Sequence, residues 1–437
     1  MIDTCIILAD SPAALVELCG ISILERLLRT LQRCEIKRAI VLSGTPDVIT
    51  REVARPSWAR SQINTSVCDR GPGPVTIKQI VDAWPKPFPL LTVVRGDTVF
   101  DIRLLRLLAR QTKSAVLIDG APEMETFCGA AIVDYQRAIQ NTGPFQEVLL
   151  REVAAQHVAT INVDALPLYS PEMRREIRPY WFLAPPPSEK KSAERLLLRS
   201  AQKGMPDLPA WAHAPIENFL IARLCKTSIT PGQLTFFCNA AAWIATIFFA
   251  TGRLGWALAI ALIVGVLDGL DGKQARVKVE TTKHGKLEHW FDAFFEWSWW
   301  TALAYHFQQS GQLPGAFRYL FLLLAAEGLD AILKAGVRFK TGRSIDELGT
   351  FERLVRLVGS RRNIFVWILT IAFLLGAPAN GFVAMSWLAV ATAIVHLPSA
   401  LSTFLGLRGA YLVPPSTASA VASKMPDNRF GRLNALR

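Results

Sequence analysis

Four acidic residues stand at helical spacings beside apolar sequence. Asp268 and Asp271 are three apart, and Glu288 and Asp292 are four apart. Either spacing puts both members of a pair on one face of a helix. The first pair closes an apolar run, within Asp268-Gly-Leu-Asp271-Gly272-Lys-Gln-Ala275-Arg276. An ionised side chain deep in a bilayer costs about 2.5–3.5 kcal/mol on insertion scales. Four together need a compensating charge, even near the interface where each costs less. A hard divalent cation supplies it, because Mg²⁺ takes carboxylates together with the phosphate oxygens of a substrate. Such ions clamp a diphosphate and stabilise charge developing on a leaving group. Gly272 and Ala275 remove bulk where backbone must come close to a ligand. Arg276 can pair with a phosphate through two parallel hydrogen bonds. A carboxylate outside the tightest metal contacts can take the proton of an attacking hydroxyl. The chemistry expected of this cluster is metal-assisted phosphotransfer at a membrane surface.

The elements that must hold these residues follow from how the chain divides. It has 437 residues, of which 51% are hydrophobic, yet its net charge is +12. The two properties are segregated: residues 1–182 read as a soluble domain, whereas 233–405 hold nearly all the long apolar runs. Six spans are expected, at 233–251, 255–271, 287–307, 316–335, 363–379 and 382–405. About 20 residues at 1.5 Å rise cross roughly 30 Å of hydrocarbon. The first apolar run, Thr4 to Leu8, is short and lacks a basic leader, so no signal peptide is expected.

Loop charge sets the expected orientation. Lys273, Arg276, Lys278, Lys283 and Lys286 crowd one loop, and Lys334, Arg338, Lys340, Arg343, Arg353, Arg356, Arg361 and Arg362 another. The opposite loops hold Arg253 and no Lys or Arg in 308–317 or 377–381. By the positive-inside rule the basic loops, the acidic cluster and both termini face the cytoplasm, in a multi-pass inner-membrane protein. A basic cytoplasmic face suits anionic lipid headgroups, and no base-reading pattern accompanies it, so nucleic acid is not an expected partner. The seven cysteines form no CxxC pattern, consistent with small buried residues in a reduced compartment.

Within residues 1–182, strands are predicted at Thr4–Leu8, Arg38–Leu42, Leu90–Val94, Ala115–Ile118, Ala130–Val133 and Val158–Val163, with helices at Ile21–Cys34, Ile102–Arg110 and Phe145–Gln156. That alternation predicts an α/β domain with a largely parallel sheet. Residues 183–210 open on Leu-Ala-Pro-Pro-Pro and continue through a charged stretch compatible with a helix, so they read as a linker. Pro215–Ser228 carries Ile216, Phe219, Leu220 and Leu224 at helical spacing, predicting an amphipathic helix in the membrane interface. The tail, 413–437, is rich in Pro, Ser and Ala and is expected to be disordered.

The carboxylate residues resemble the CDP-alcohol phosphotransferase family, whose signature runs Asp-x2-Asp-Gly-x2-Ala-Arg-x8-Gly-x3-Asp-x3-Asp. Asp268, Asp271, Gly272, Ala275, Arg276 and Gly285 match at the family's spacing. The resemblance covers roughly 211–412, and six spans are what the family has. One departure stands out: the family has acids four and eight residues after the last glycine, where this chain has His289 and Ala293. Glu288 and Asp292 arrive one residue early with their own spacing kept. This reads as a one-residue deletion with Glu replacing the third Asp. His289 is either a ligand or second base, or a residue facing headgroups; Glu296 continues the same face one turn deeper.

The resemblance implies Mg²⁺ or Mn²⁺, two ions, held by Asp268, Asp271 and Glu288, with Asp292 as proton acceptor and shared ligand. It implies contacts to the CDP moiety from Gly272, Ala275, Arg276, Thr282 and Gly285. The acceptor hydroxyl would attack the β-phosphorus of a CDP-linked donor and release CMP, as in phospholipid biosynthesis. Arg361 and Arg362 read either as a positive-inside flank or as an acceptor pocket, which family members using inositol phosphate build from basic residues. Lys334, with Glu327 and Asp330, reads either as a local ion pair or as a contact to acceptor hydroxyls. The family is often a homodimer.

The first half resembles the sugar-nucleotidyltransferase fold on Asp10-Ser-Pro12-Ala13, Val93-Val-Arg-Gly96-Asp97 and Asn162-Val-Asp164. In that family a glycine-rich loop follows the first strand, and its N–H groups cradle nucleotide phosphates. Here that loop is missing and Ala13 stands where the family has lysine, while Asp97 and Asp164 match its two metal-binding aspartates. A degenerate domain kept for docking, regulation or dimerisation is expected. The fusion itself resembles bifunctional inositol-1-phosphate cytidylyltransferase/CDP-inositol phosphotransferase enzymes, which makes a polyol such as inositol the expected substrate class and a second, CTP-using activity the alternative. A nucleotidyltransferase on a membrane anchor would not need four carboxylates, and a scaffold or transporter would not need Gly272, Ala275 and Arg276 at these spacings. Asp292→Asn is expected to abolish CMP release while the protein stays folded; near-normal turnover in that variant would remove Asp292 as the base.

Overall fold

Side chains of the strand Thr4–Leu8 (β1) alternate across a sheet that is covered on both faces. Cys5 and Ile7 enter one core and Ile6 the other, as expected for strands in a parallel α/β sheet. The computed structural model describes residues 3–84, 88–120, 126–204, 207–280 and 285–407, apart from the side chains of 285–293. After β1 come β2 (Glu17–Leu18), β3 (Ile21–Ser22), α1 (Ile23–Arg33), β4 (Arg38–Ser43), α2 (Pro46–Val53) and β5 (Asn64–Asp69). Next are α3 (Ile77–Ala83), β6 (Leu90–Arg95), β7 (Thr98–Phe100), α4 (Ile102–Ala109), β8 (Ala115–Asp119) and β9 (Thr126–Asp134). The half closes with α5 (Tyr135–Gln140), α6 (Phe145–Ala154), β10 (Ala159–Asn162), β11 (Tyr169–Ser170), β12 (Arg175–Glu176) and β13 (Trp181–Leu183).

Seven of these strands form one sheet in the order β10-β8-β9-β6-β1-β4-β5. All its pairings are parallel except those of β9, which runs antiparallel to both β6 and β8. The largely parallel sheet is therefore present with one reversed strand. Leu24, Leu27, Leu28 and Leu31 of α1 cover one face with α4, while α3, α5 and α6 cover the other. Fully burying each such side chain is worth roughly 1.5–3 kcal/mol, more than the cap at Ser22, whose hydroxyl accepts from the Glu25 N–H at 3.1 Å and contributes about 1 kcal/mol. The predicted helix from Ile21 starts two residues later because Ile21–Ser22 pairs as a short strand with Glu17–Leu18.

The second half is helical: α7 (Lys190–Ser200), α8 (Leu208–Leu224), α9 (Pro231–Ala250), α10 (Leu254–Val277), α11 (Gly285–Gln309), α12 (Ala316–Thr341), α13 (Thr350–Val358), α14 (Arg362–Leu374) and α15 (Pro378–Phe404). Among the described residues α9, α10 and α15 are long and apolar enough to cross a membrane, and α13 with α14 makes a fourth if that pair, bent by 47°, is one span. The helices α11 and α12 have 25 and 26 residues but carry Glu296, Glu327, Asp330 and Lys334 along their length. A core including Phe249, Phe295, Trp299, Trp300, Phe307 and Phe382 binds these helices together. Trp299 and Trp300 are fully buried, and Trp297 is half-exposed.

The two halves share a core. The stretch 183–210 holds α7, whose Ala193 and Leu197 pack with Leu18 and Ile23 of the α/β half and with Ile221, Cys225, Leu270 and Val277. The expected interfacial helix is α8; it exposes Trp211, Ile216 and Phe219 and buries His213, Glu217 and Ile221. The tail from 413 lies outside the described residues. At Gly20 the backbone is left-handed (φ +80°), and a Cβ there would lie 1.9 Å from the Cys225 carbonyl oxygen at the end of α8. Gly20→Ala is therefore expected to cost about 2–5 kcal/mol, combining backbone strain with overpacking. Gly71, also left-handed (φ +70°) but with nothing within 4 Å, should cost about 1–2 kcal/mol. Denaturant unfolding of the two variants checks this; equal losses would show that α8 gives way.

Candidate active site

The first 14 residues of α10 are apolar and its last ten are rich in polar groups. Those polar groups are inside the protein: Asp271, Lys273 and Gln274 are all buried. Each has a partner from a different element. Asp271 Oδ2 accepts from the Thr235 hydroxyl of α9 at 2.6 Å, and its Oδ1 accepts from the Gly272 N–H. Lys273 donates to Asn218 Oδ1 at 2.6 Å and Gln202 Oε1 at 3.0 Å. Gln274 donates to the Ile229 carbonyl at 2.7 Å, and Arg276 Nε to the Ala201 carbonyl at 2.6 Å. Asp268, one turn before Asp271, pairs with Arg362 at 2.6 Å. Buried polar groups without such partners are costly; here α7, α8, α9 and α14 provide them.

Gly269 lets α8 approach the motif: a Cβ there would sit 3.1 Å from Glu217 Oε1. Burial lifts the Glu217 carboxyl above its ordinary value, against the pull of Lys273. A single helix turn thus presents Asp268 and Asp271, and α8 lays a third acid against the residue that follows Asp268. Asp268 and Asp271 fit Mg²⁺ or Mn²⁺ as hard oxygen donors. Thr235 orients one of them in the way outer partners fix metal-binding carboxylates. Among the described residues no group of three or more His, Cys, Asp or Glu gathers as a metal site. Glu288 and Asp292 fall on α11, but their side chains, with those of Gly285 and His289, lie outside the described residues, as does Thr282 altogether.

The acceptor candidates divide. Arg362 belongs to the motif through Asp268 and also stacks over the Phe295 ring at 4.9 Å. Arg361 is turned to Asp346 at 3.3 Å, which also pairs with Arg356. Burial alone would raise the Asp346 carboxyl; Arg356 and Arg361 outweigh it and hold it below the usual carboxylate range. Lys334 pairs with Asp330 at 2.6 Å, and Asp330 meets His396 Nδ1 at 2.5 Å on α15. Of the three, Arg362 pairs with the motif carboxylate Asp268, whereas Arg361 and Lys334 pair with Asp346 and Asp330. Sequence reasoning missed Thr235, Glu217, Asp346 and His396. Each is a lone polar residue with no spacing to mark it, and its role appears only when helices distant in sequence meet.

In the α/β half Asp97 accepts two hydrogen bonds from Arg95, at 2.7 and 3.0 Å, and Asp164 pairs with Arg178. They follow β6 and β10, which are separated in the sheet by β8 and β9. No described contact joins one carboxylate to the other. Asp10 is likewise paired, with Arg70 at 2.6 Å. These pairings place guanidinium groups where a cation would have to bind, so this set fits a metal poorly.

Residues 228–397 match the family model described as CDP-alcohol phosphatidyltransferase, and the helical half carries a domain of that family. The chain is similar to a bifunctional IPC transferase and DIPP synthase of Aquifex aeolicus (strain VF5), 28% identical over 202 residues, 44% of this chain and 44% of that protein. It is also similar to the protein of that name in Rubrobacter xylanophilus, 29% identical over 220 residues, 50% of this chain and 48% of that protein. The matched stretch spans about half the length of these relatives. Among solved structures, phosphatidylinositol phosphate synthase of Mycobacterium tuberculosis with CDP-DAG bound is 17% identical, with a TM-score of 0.35 over 44% of this chain and 94% of that one.

The Thr235 contact yields a test. Thr235→Val keeps the side-chain shape and removes the hydroxyl that orients Asp271, so the Mg²⁺ or Mn²⁺ concentration for half-maximal activity should rise about 10–100-fold. An unchanged cation titration in a folded variant would detach Asp271 from metal binding.

Proposed function

We propose that this protein is a membrane-embedded, Mg²⁺- or Mn²⁺-dependent CDP-alcohol phosphotransferase. The observation that carries the reading is the polar end of α10, where Asp268 and Asp271 share a turn and are held by partners from α9 and α14. Asp268, Asp271 and Glu288 would hold the cations, with Asp292 as a shared ligand, and Asp292 takes the proton of the acceptor hydroxyl. The acceptor oxygen forms a new bond to the β-phosphorus of a CDP-linked donor, the bridging P–O bond breaks, and CMP leaves with that oxygen. When bound, the cations would supply charge stabilisation on the diphosphate. Gly272, Ala275, Arg276, Thr282 and Gly285 are the proposed CDP contacts, and Arg362 lies nearest to serve the acceptor, with Arg361 and Lys334 behind it.

The domain reading is α/β over 1–182, a linker over 183–210 and a six-span membrane domain over 211–412, with the tail over 413–437 outside the described residues. We place the basic loops, both termini and the site on the cytoplasmic side of the inner membrane, in a homodimer. The names of the curated relatives support a polyol such as inositol, or its phosphate, as acceptor or as the donor's alcohol. They equally raise a second reading, in which the α/β half makes the CDP-alcohol from CTP. The pairing of Asp97 and Asp164 with arginines and the missing glycine loop favour a non-catalytic α/β half.

The test uses purified full-length protein in lipid with Mg²⁺ or Mn²⁺, CDP-diacylglycerol or CDP-inositol, and a panel of polyols and polyol phosphates. CMP and a new phosphodiester, a lipid where the donor is CDP-diacylglycerol, are expected with one combination and neither after chelation of the cation. CMP from none of them would overturn the transferase reading. Pyrophosphate released from CTP would establish the second activity and overturn the non-catalytic assignment of the α/β half.

A further inference from the structure

The carboxylate helix ends in a turn its own sequence does not favour. The Glu280 N–H donates to the Ala275 carbonyl at 2.7 Å, and the Val279 N–H to the Arg276 carbonyl at 3.4 Å. That is the pattern in which a helix closes through one left-handed residue, a position usually filled by glycine. Here it is Val279, at φ +53°. A β-branched side chain in that region is an outlier and persists only where its surroundings over-determine it.

The surroundings are two arginines of the other half. Arg26 and Arg29, on α1, are both buried. Arg26 donates to the Val277 carbonyl at 2.5 Å and to its own half's Leu18 carbonyl at 3.2 Å. Arg29 donates to the Lys278 carbonyl at 2.9 Å and to Glu280 Oε1 at 3.1 Å. Glu25, one turn before Arg29, holds the Arg29 Nε at 2.8 Å. Cations at the last carbonyls of a helix also complement its negative end. Two fixed guanidinium groups from one half thus close the helix that carries Asp268 and Asp271 in the other.

We propose that Arg26 and Arg29 are positioning residues, and that the α/β half acts as a clamp holding Val279 in its left-handed turn. The turn lies between the two carboxylate pairs in sequence, so the clamp fixes where α10, with Asp268 and Asp271, ends. The catalytic consequence rests on the phosphotransferase reading; the clamp itself does not. It gives an α/β half with poor metal-binding chemistry a role in the reaction without a substrate of its own.

The experiment compares full-length wild type with Arg29→Ala, Arg29→Lys, Val279→Gly and the Arg29→Ala/Val279→Gly double variant. Arg26 is left intact because it also holds Leu18. Three quantities are read: amide hydrogen exchange over 277–284, thermal stability, and kcat and KM for the donor. Arg29→Ala should exchange about tenfold faster there and lose about tenfold in kcat, with KM changed less than about twofold. Val279→Gly alone should match wild type, because glycine accepts the left-handed turn. Added to Arg29→Ala it should recover most of kcat, which a general loss of stability would not allow. Should Arg29→Ala not fold, Arg29→Lys, which keeps the charge but replaces the fixed fork of donors with a single ammonium nitrogen, carries the same comparison. Loss of kcat with exchange unchanged, faster exchange with kcat unchanged, or no recovery in the double variant would each overturn the proposal. If wild type releases no CMP, the functional reading fails separately, and unchanged exchange in Arg29→Ala still overturns the clamp.

Discussion

Charge at the end of an apolar helix is the constraint on which the rest of this structure depends. The helix α10 begins as sequence fit for hydrocarbon and ends in Asp268, Asp271, Lys273, Gln274 and Arg276. In lipid each ionised group would cost about 2.5–3.5 kcal/mol. The fold removes that cost by surrounding the polar end with protein. Thr235, Asn218, Gln202, Ile229, Ala201 and Arg362 each meet one of its side chains. The site is therefore a junction, and its residues are held by elements spread over more than 150 positions of the chain.

That constraint explains why the α/β half is packed against the membrane half and not tethered to it. Leu18 and Ile23 share a core with Leu270 and Val277, and Gly20 presses on the end of α8. A helix that must end in polar residues leaves its last carbonyls to be satisfied. Buried arginines from α1 satisfy them. In the same half Asp10, Asp97 and Asp164 pair with Arg70, Arg95 and Arg178.

Much of the fold was legible in the pattern of residues. The strand at Thr4–Leu8 and the existence of a helix with Ile216 and Phe219 follow from local periodicity, although that helix buries His213 and Glu217 and so is not sorted into one apolar and one polar face. The reversed strand β9 did not follow, because an apolar run such as Ala130–Val133 reads the same in either direction. The charged stretch compatible with a helix in 183–210 is α7, but its place in a core was not legible: Ala193 and Leu197 look unremarkable until Leu18 and Ile221 are placed against them. The helices α11 and α12 carry acids along their length, and among the described residues length and apolar content single out three helices, or four with the bent pair, where apolar runs suggested six.

What the sequence alone determined is the chemistry offered: carboxylates three and four apart, an arginine and small residues at fixed offsets, and a membrane to hold them. Those are matters of residue type and helical spacing, which a linear string carries in full. What only the tertiary structure decided is who answers each charge. Arg362 was one of three basic candidates until α14 brought it to Asp268, and nothing in the sequence singles out Arg26 and Arg29, which α1 places at the end of α10. Partners of buried charges lie wherever packing places them, from 36 to about 250 residues away here. No local spacing records such distances.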